Sequence, residues 1–326
     1  MKLASLKTGG RDGSLIVVAR DLKSYRVVPD IAPSLQSVLE RWDDVFEQLN
    51  EIYIQLNEGT TGKTLMVSEL ASPLPRAYQW LDGSAYLSHV QRVRKARGAE
   101  MPESFLTDPL MYQGGSDYFL SPTDDIVLSN VEWGLDFESE VAVITDDVPI
   151  GTQSQNAEPH IKLLMLVNDI SLRGLIPNEL GKGFGFIHGK PPTAFSPVAV
   201  TPDEVSAHWQ ECKLNLSLQT HYNEVSFGHP DAGVDMQFSF AELIQHAAKS
   251  RPLTAGTIIG SGTVSNNDES RGCSCLVEKR VLEVVKEGKA TTPFMKVGDS
   301  IRIDMVDALG HSVFGAIEQR VVEGRS

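Results

Sequence analysis

The chain has 326 residues, of which 41% are hydrophobic and 22% are charged. This is the composition of a globular protein long enough to bury most of its apolar surface. Its 43 acidic residues outnumber its 29 basic ones and give a net charge of -14, which argues against nucleic acid or an anionic membrane as partner. No segment approaches the roughly 18 apolar residues of a membrane helix, and the N-terminal apolar run is too short for a signal peptide. We therefore expect a cytoplasmic protein.

The three cysteines, Cys212, Cys273 and Cys275, are an odd number in a long chain. This pattern does not indicate a disulfide framework. Cys273 and Cys275 are close enough to form a thiolate pair, but no second Cys or His pair stands at matching spacing. We expect all three cysteines to be reduced and mostly structural.

The first 72 residues predict a small N-terminal α+β domain. Residues 1–30 alternate apolar and polar side chains around glycines, which is typical of a small antiparallel unit. Apolar residues then recur at three- and four-residue steps over 35–56, which predicts one helix with a capping box formed by Ser37 and Glu40 and an end at Gly59. Two prolines, Pro73 and Pro75, mark a boundary, so the second domain is expected to span 73–326.

The second domain is dominated by short β-like runs. They lie at 140–145, 163–167, 213–218, 257–259, 276–285 and 300–306. Only a few helices interleave, such as 240–249, so the regular strand-helix alternation of a doubly wound sheet is missing. The sequence predicts an α+β, predominantly β fold.

The segment 135–144 predicts a strand with acidic residues at alternate positions. Asp136, Glu138 and Glu140 would share one face, with neighbours about 7 Å apart. Because the run continues into Val-Ala-Val-Ile, carboxylates held this close would repel one another unless a cation neutralised them. The alternative is an edge strand with a solvated acidic face.

Two further acids and one histidine are candidates for the same site. Asp169 ends a hydrophobic run and Asp82 precedes Gly83, although the first could cap a strand end and the second could form a turn. Oxygen-only ligation suits Mg²⁺, Ca²⁺ or Mn²⁺. His89 follows Asp82 by seven residues and is the best candidate base, ahead of His188, unless it is a surface or packing residue.

The glycine-rich segment 181–192 does not match a phosphate-binding P-loop. Phe184 and Pro191 stand where that motif requires Gly and Ser or Thr. The loop either carries Lys190 to a site with little steric hindrance or is a solvated surface loop.

Taken together, these motifs resemble the fumarylacetoacetate hydrolase family over most of residues 72–326. The matching segments are Asp136-Phe137-Glu138-Ser139-Glu140, Asn168-Asp169 with Ser171 and Arg173, Gly189-Lys190 followed by Ser196-Pro197, Tyr112 to Ser116, and Gly260 to Ser265. The resemblance implies a mixed β-sandwich roll catalytic domain and at least a homodimer. It also implies metal ligation by Asp82, Glu138, Glu140 and Asp169.

The resemblance assigns roles to the remaining candidates as well. It implies that His89, Lys190 and Arg173 are catalytic, that Arg173 also contacts substrate, and that Tyr112 and Thr263 bind substrate. Arg92 stands where the decarboxylase-like branch of the family carries a lid glutamate. We therefore expect a distant acid to orient His89, and choose Glu278 over Glu269.

The resemblance implies a metal-dependent hydrolase that cleaves the carbon-carbon bond of a 1,3-diketo acid. Fumarylacetoacetate, which would yield fumarate and acetoacetate, is the first candidate substrate, with Mg²⁺ or Ca²⁺ as cofactor and Mn²⁺ as a further option. The partner would be a small anionic diketo or 2-oxo acid. The alternatives are a decarboxylase, hydratase or tautomerase of 2-oxo acids on the same scaffold, and a non-catalytic metal-binding protein.

Overall fold

The computed structural model describes residues 1–96 and 103–324, without the side chains of 93–96. Its helices are α1 Leu35–Leu39, α2 Trp42–Asn57, α3 Leu87–Ala96, α4 Ile176–Lys182, α5 Phe240–Ala247 and α6 Leu276–Glu287. Its strands are β1 Lys2–Leu6, β2 Ser14–Val18, β3 Ser24–Val27, β4 Lys63–Thr64, β5 Gln79–Gly83, β6 Met111–Gly114, β7 Ile126–Leu128, β8 Leu135–Asp136, β9 Ser139–Thr145, β10 Ile161–Asn168, β11 Ser171–Leu172, β12 Ala194–Phe195, β13 Ala199–Val200, β14 Trp209–Gln210, β15 Lys213–Leu214, β16 Leu218–Tyr222, β17 Val225–Gly228, β18 Thr257–Gly260, β19 Ser300–Met305 and β20 Ile317–Glu323. The fold is α+β with β-structure dominant, as predicted.

One large sheet runs through both parts of the chain. Its strand order is β4-β3-β2-β1-β13-β10-β9-β18-β5-β6, and β12 also pairs with β10. The N-terminal strand β1 pairs antiparallel with β13, so that Lys2 lies opposite Val200. The N-terminal strands therefore extend the same sheet that carries the acidic residues.

The central strands are buried on both faces of this sheet. Alternate residues of β9 and β10 enter two different hydrophobic clusters: Val143 and Leu164 pack on one side, and Ile144 and Met165 on the other. Side chains alternate across a strand, so a strand covered on both sides needs an unbroken apolar run. The polar residues at the ends of these strands therefore stand out from an otherwise apolar sequence.

A second sheet, ordered β17-β16-β19-β20-β7, covers one side of the first. Strand β16 contacts β9, and β19 and β20 contact β10. The two sheets thus form the layered β arrangement expected for the catalytic domain. In the part of the chain that the structure describes, no helix is long and apolar enough to cross a membrane.

Three local predictions were wrong. Residues 276–285, predicted as β-like, form the helix α6, and the run 213–218 is divided between β15 and β16. The helix predicted over 35–56 is broken between α1 and α2. Its capping box is formed by Ser34 and Ser37, because the helix begins three residues earlier than the predicted Ser37–Glu40 box requires.

Candidate active site

Three buried carboxylates converge where neighbouring strands of the large sheet end. Asp82 lies in β5, Glu140 in β9 and Asp169 directly after β10, and their ligand oxygens lie within 4.8 Å of one another. The three residues are at most 5% exposed. Gly260 in the intervening strand permits this approach, because a Cβ there would lie 2.4 Å from Asp82 Oδ1.

Glu140 is the least satisfied member of this cluster. Among the described residues, no N–H or hydroxyl group of a neighbour donates to either of its carboxylate oxygens, and its close polar neighbour is the carboxyl group of Asp82. Burial, and then the charges of Asp82, Asp169 and Glu138, raise the pKa of Glu140 well above its usual value. Burial and Asp169 also raise the pKa of Asp82. Glu140 offers two free oxygens beside the carboxylates of Asp82 and Asp169. This is the donor set of a hard divalent cation, so the residues present fit the expected metal.

Glu138 joins this cluster to two positively charged side chains. Its Oε2 accepts a hydrogen bond from Lys190 Nζ at 2.5 Å, and its Oε1 accepts one from Arg173 Nη2 at 2.7 Å. Lys190 also donates to Asp169 Oδ2 at 2.5 Å. Burial opposes ionisation of Glu138, but Arg173 and Lys190 outweigh it and hold its pKa well below the usual value. Glu138 is therefore ionised in the folded protein.

The two residues predicted to bind substrate contact the acidic cluster directly. The Tyr112 hydroxyl donates to Asp169 Oδ2 at 2.5 Å, and the Thr263 hydroxyl donates to Glu138 Oε1 at 2.8 Å. Thr193, which carried no sequence signal, donates to Asp169 Oδ1 at 2.9 Å. These hydroxyls fix the orientation of the carboxylates they contact.

His89 lies on α3 and is paired with Glu278 of α6. Its Nδ1 lies 2.6 Å from Glu278 Oε2, and Glu278 is fully buried. The rejected alternative, Glu269, binds Lys286 instead. A carboxylate on one ring nitrogen fixes the tautomer and leaves the other nitrogen for proton transfer, which is the arrangement of a general base and its orienting acid.

Two further residues, which sequence reasoning did not assign to the site, hold Glu278. Arg92 Nη1 donates to Glu278 Oε1 at 2.5 Å, and the Ser265 hydroxyl donates to the same oxygen at 2.9 Å. Arg92 also binds the carbonyl of Asn266 at 2.8 Å. The only sequence signal for Arg92 was its departure from the lid glutamate of the decarboxylase-like branch.

Asp136 does not share the face of Glu138 and Glu140 that the strand pattern predicted. The strand is interrupted between β8 and β9, and Asp136 accepts hydrogen bonds from the backbone N–H groups of Leu276 and Val277. It also binds Arg173 Nε at 2.9 Å. Asp136 is thus a cap of α6 and a support for Arg173.

A cavity of about 410 Å³ lies beside this assembly. Its lining residues are His89, Val131, Glu132, Gly134, Arg173, Gly174, Ile176, Val277 and Phe294. It presents the His89 imidazole, the Arg173 guanidinium and the Glu132 carboxylate among apolar side chains, and its size suits a small organic molecule.

Comparison with known protein families shows to which family the chain belongs. Residues 79–322 match the model of the fumarylacetoacetate hydrolase C-terminal domain, and residues 1–76 match fumarylacetoacetase N-terminal domain 2. The chain belongs to the fumarylacetoacetate hydrolase family. Within this family the members similar to the chain are named for more than one reaction.

Two curated relatives of this family member are distant. It is 25% identical over 222 residues to 2,4-didehydro-3-deoxy-L-rhamnonate hydrolase of Sphingomonas sp. (strain SKA58), covering 67% of each chain. It is 28% identical over 249 residues to oxaloacetate tautomerase YisK of Bacillus subtilis (strain 168), covering 74% of this chain and 71% of the relative. One relative is named as a hydrolase and the other as a tautomerase.

Solved structures share the fold of this family member over its whole length. A putative HpcE protein from Mycobacterium smegmatis superimposes with a TM-score of 0.71 at 18% identity, covering 100% of both chains. Maleylpyruvate hydrolase from Sphingobium sp. SYK-6, in complex with manganese(II) and pyruvate, gives a TM-score of 0.65 at 16% identity, again covering 100% of both chains.

Proposed function

We propose that this member of the fumarylacetoacetate hydrolase family is a metal-dependent hydrolase that cleaves the carbon-carbon bond of a 1,3-diketo acid, with fumarylacetoacetate as the first candidate substrate. The observation that carries this proposal is the His89–Glu278 pair, held beside a carboxylate cluster in which Glu140 has two unpartnered oxygens. The arrangement supplies a base for water next to a place for a cation.

We propose Mg²⁺ or Ca²⁺ as the cation, with Mn²⁺ as a further option, and Asp82, Glu138, Glu140 and Asp169 as its ligands. The manganese(II) in the Sphingobium relative supports this choice. When bound, the ion would polarise the carbonyl oxygens of the substrate and stabilise the negative charge that develops on them.

The side chains supply the remaining steps. His89, oriented by Glu278, takes a proton from water, and the hydroxide attacks the carbonyl carbon. The bond to the neighbouring carbon then breaks, its electron pair stays on that carbon, and the proton held by His89 becomes available to it. Lys190 and Arg173, whose pKa values are raised above the usual range by carboxylates that outweigh the effect of burial, remain charged where oxyanions form.

Tyr112 and Thr263 are proposed to orient the substrate and the carboxylates they contact.

The three cysteines are unpaired, which supports a reducing, cytoplasmic compartment. A homodimer is proposed from the family resemblance.

Loss of fumarylacetoacetate absorbance, measured with Mg²⁺ and then with chelator, tests the proposed reaction. We expect metal-dependent turnover that His89→Ala lowers by about 100- to 10,000-fold. His188→Ala is the matched control, because the side chain of His188 is 78% exposed. Turnover that survives His89→Ala would refute the assigned base.

Keto-enol conversion of oxaloacetate is the second candidate activity, supported by the similarity to the Bacillus subtilis tautomerase. In both reactions, negative charge develops on an enolate oxygen beside a second carbonyl group, and the same site could stabilise it. Oxaloacetate is therefore assayed beside fumarylacetoacetate. If the protein converts oxaloacetate but not fumarylacetoacetate, tautomerisation replaces hydrolysis as the proposed activity. If it binds metal but acts on neither substrate, a non-catalytic metal-binding protein is favoured.

A further inference from the structure

A cysteine that the proposed reaction does not use lies against the base. Cys275, His89 and Glu138 each direct one ligand atom into a common space, where the three atoms lie within 4.8 Å of one another. Cys275 is unpaired and fully buried. Burial raises the pKa of its thiol well above the usual value, so the thiol alone is not an activated nucleophile.

The tertiary fold brings these residues together from three segments. Cys275 precedes α6 and forms a β-bridge with Glu138, which lies between β8 and β9. His89 is on α3, and α3 packs against α6. No local spacing in the sequence could show this set.

Glu138 belongs to both proposed ligand sets, but the other two donor atoms, from His89 and Cys275, differ in kind from those of the carboxylate cluster. Imidazole nitrogen, thiolate sulfur and carboxylate oxygen together are the ligands of zinc, whereas oxygen-only sites suit magnesium or calcium. Three protein ligands leave one tetrahedral position open. Bonds of about 2.0 to 2.3 Å would place the ligand atoms about 3.5 Å apart. Because these atoms now lie within 4.8 Å of one another, they must approach by at most about 1.3 Å.

The surroundings of the three ligands also suit a metal. Glu278 already holds Nδ1 of His89 at 2.6 Å, which leaves Nε2 as the ligand atom in a carboxylate–histidine–metal arrangement. The cavity lined by His89 and Val277 reaches one of the three ligands, His89. Arg173 and Lys190 also bind the two oxygens of Glu138, and their positive charges limit the affinity.

We propose that His89, Glu138 and Cys275 form a second metal site that prefers zinc to magnesium. On binding, the Cys275 thiol releases its proton to solvent, and the ion occupies the nitrogen with which His89 would accept a proton from water. Zinc is then an inhibitor of the enzyme. The inhibition rests on the proposed function, but zinc binding does not.

Cobalt(II) absorbance tests this site without any need for turnover. Chelator-stripped protein titrated with Co²⁺ should develop a thiolate-to-cobalt charge-transfer band, since oxygen ligands give none. The band should be absent in Cys275→Ser and retained in Cys212→Ser, the matched control, in which another buried free cysteine is changed. Wild-type protein without the band, or Cys275→Ser with it, would overturn the proposal.

Zinc affinity, measured by competition with a chromophoric chelator, gives the second readout. We expect Cys275→Ser to bind zinc at least about 10-fold more weakly, because loss of a residue that only orients a metal ligand already costs about that much affinity. Its binding of Mg²⁺ should be unchanged. Cys275→Ala, compared by circular dichroism, separates loss of a ligand from misfolding. If the band appears but neither candidate substrate turns over, the proposed function fails and the zinc site stands.

Discussion

Glu140 is the residue at which the physical argument for a cation is strongest. Lys190 and Arg173 satisfy Glu138, and Tyr112 and Thr193 donate to Asp169, whereas both oxygens of Glu140 lack partners among the described residues. Ionising Glu140 without a partner would cost far more than any one hydrogen bond returns, and its raised pKa reflects this cost. The chain therefore keeps at this position a carboxylate that becomes favourable only when a cation is bound.

Glu140→Gln separates two effects of this carboxylate. One is the stability that its burial costs the metal-free protein, and the other is its contribution to metal binding. In chelator we expect the variant to be at least as stable as the wild type, because burial and the neighbouring carboxylates already raise the pKa of Glu140 and Gln has the same shape. With Mg²⁺ at 100 times its dissociation constant, the wild type should gain about 2.7 kcal/mol and the variant should gain much less. Thermal unfolding with and without Mg²⁺ measures both quantities.

Glu47→Gln, an exposed change on α2, is the control for this measurement. It should keep the whole Mg²⁺-dependent gain in melting temperature. An equal gain in Glu140→Gln would remove Glu140 from the ligand set.

Residue-scale contacts were predictable only where a local pattern or the family resemblance pointed to both partners, as it did for His89 and Glu278. Alternation along the strand pointed to Glu138 and Glu140, whereas the family resemblance supplied the roles of Asp169 and Lys190. The ion pair between Arg92 and Glu278 joins residues 186 positions apart, and nothing local in the sequence encodes it. Such contacts follow from the packing of α3 on α6, not from propensity.

At the scale of elements, α6 shows why a local pattern misled the prediction. Its valines favour a strand when only propensity is considered, but the segment begins where Asp136 caps the free N–H groups of Leu276 and Val277. It ends at Gly288, whose φ of 79° is left-handed. A cap supplied from 140 residues away outweighs the β preference and so places Glu278 opposite His89.

Asp136→Asn tests this dependence of α6 on a distant cap. The amide keeps the shape but presents an NH₂ group to backbone N–H and guanidinium donors, so we expect a loss of about 1–3 kcal/mol in the free energy of unfolding. Urea unfolding measures the loss, and hydrogen exchange should show the amides of α6 opening more readily. Asp43→Asn, an exposed first-turn change on α2, should be nearly neutral, and an equal loss in both variants would refute the cap argument.

At the scale of the whole molecule, the two sequence regions build one sheet. The predominantly β architecture was predictable because short apolar runs bounded by turn residues recur along the chain. The pairing of β1 with β13 was not predictable, since about 200 residues separate the strands and register depends on which faces are already buried. Residues of both regions, such as Leu3 and Phe195, enter the same hydrophobic cluster.

Lys2 lies where β1 pairs with β13, and its burial there should make the free energy of unfolding depend on pH. Its Nζ donates to the carbonyl of Val313 at 2.5 Å, and burial lowers its pKa to about 8 from the ordinary 10.5. Below pH 8 the folded and unfolded chains both carry the proton. Between about 8 and 10.5 the unfolded chain keeps a proton that the folded chain has released, so stability should rise by up to about 1.4 kcal/mol per pH unit.

The difference in unfolding free energy between wild type and Lys2→Met isolates this contribution from other titrating groups. It should be constant below pH 8 and should then move in favour of the wild type as the pH approaches 10.5. The lost hydrogen bond to Val313 adds an offset but no slope, because the carbonyl does not titrate. The same difference for Lys23→Met, whose lysine side chain is 82% exposed, should stay flat. A flat difference for Lys2→Met as well would mean that the charge of Lys2 is solvated where the two regions meet.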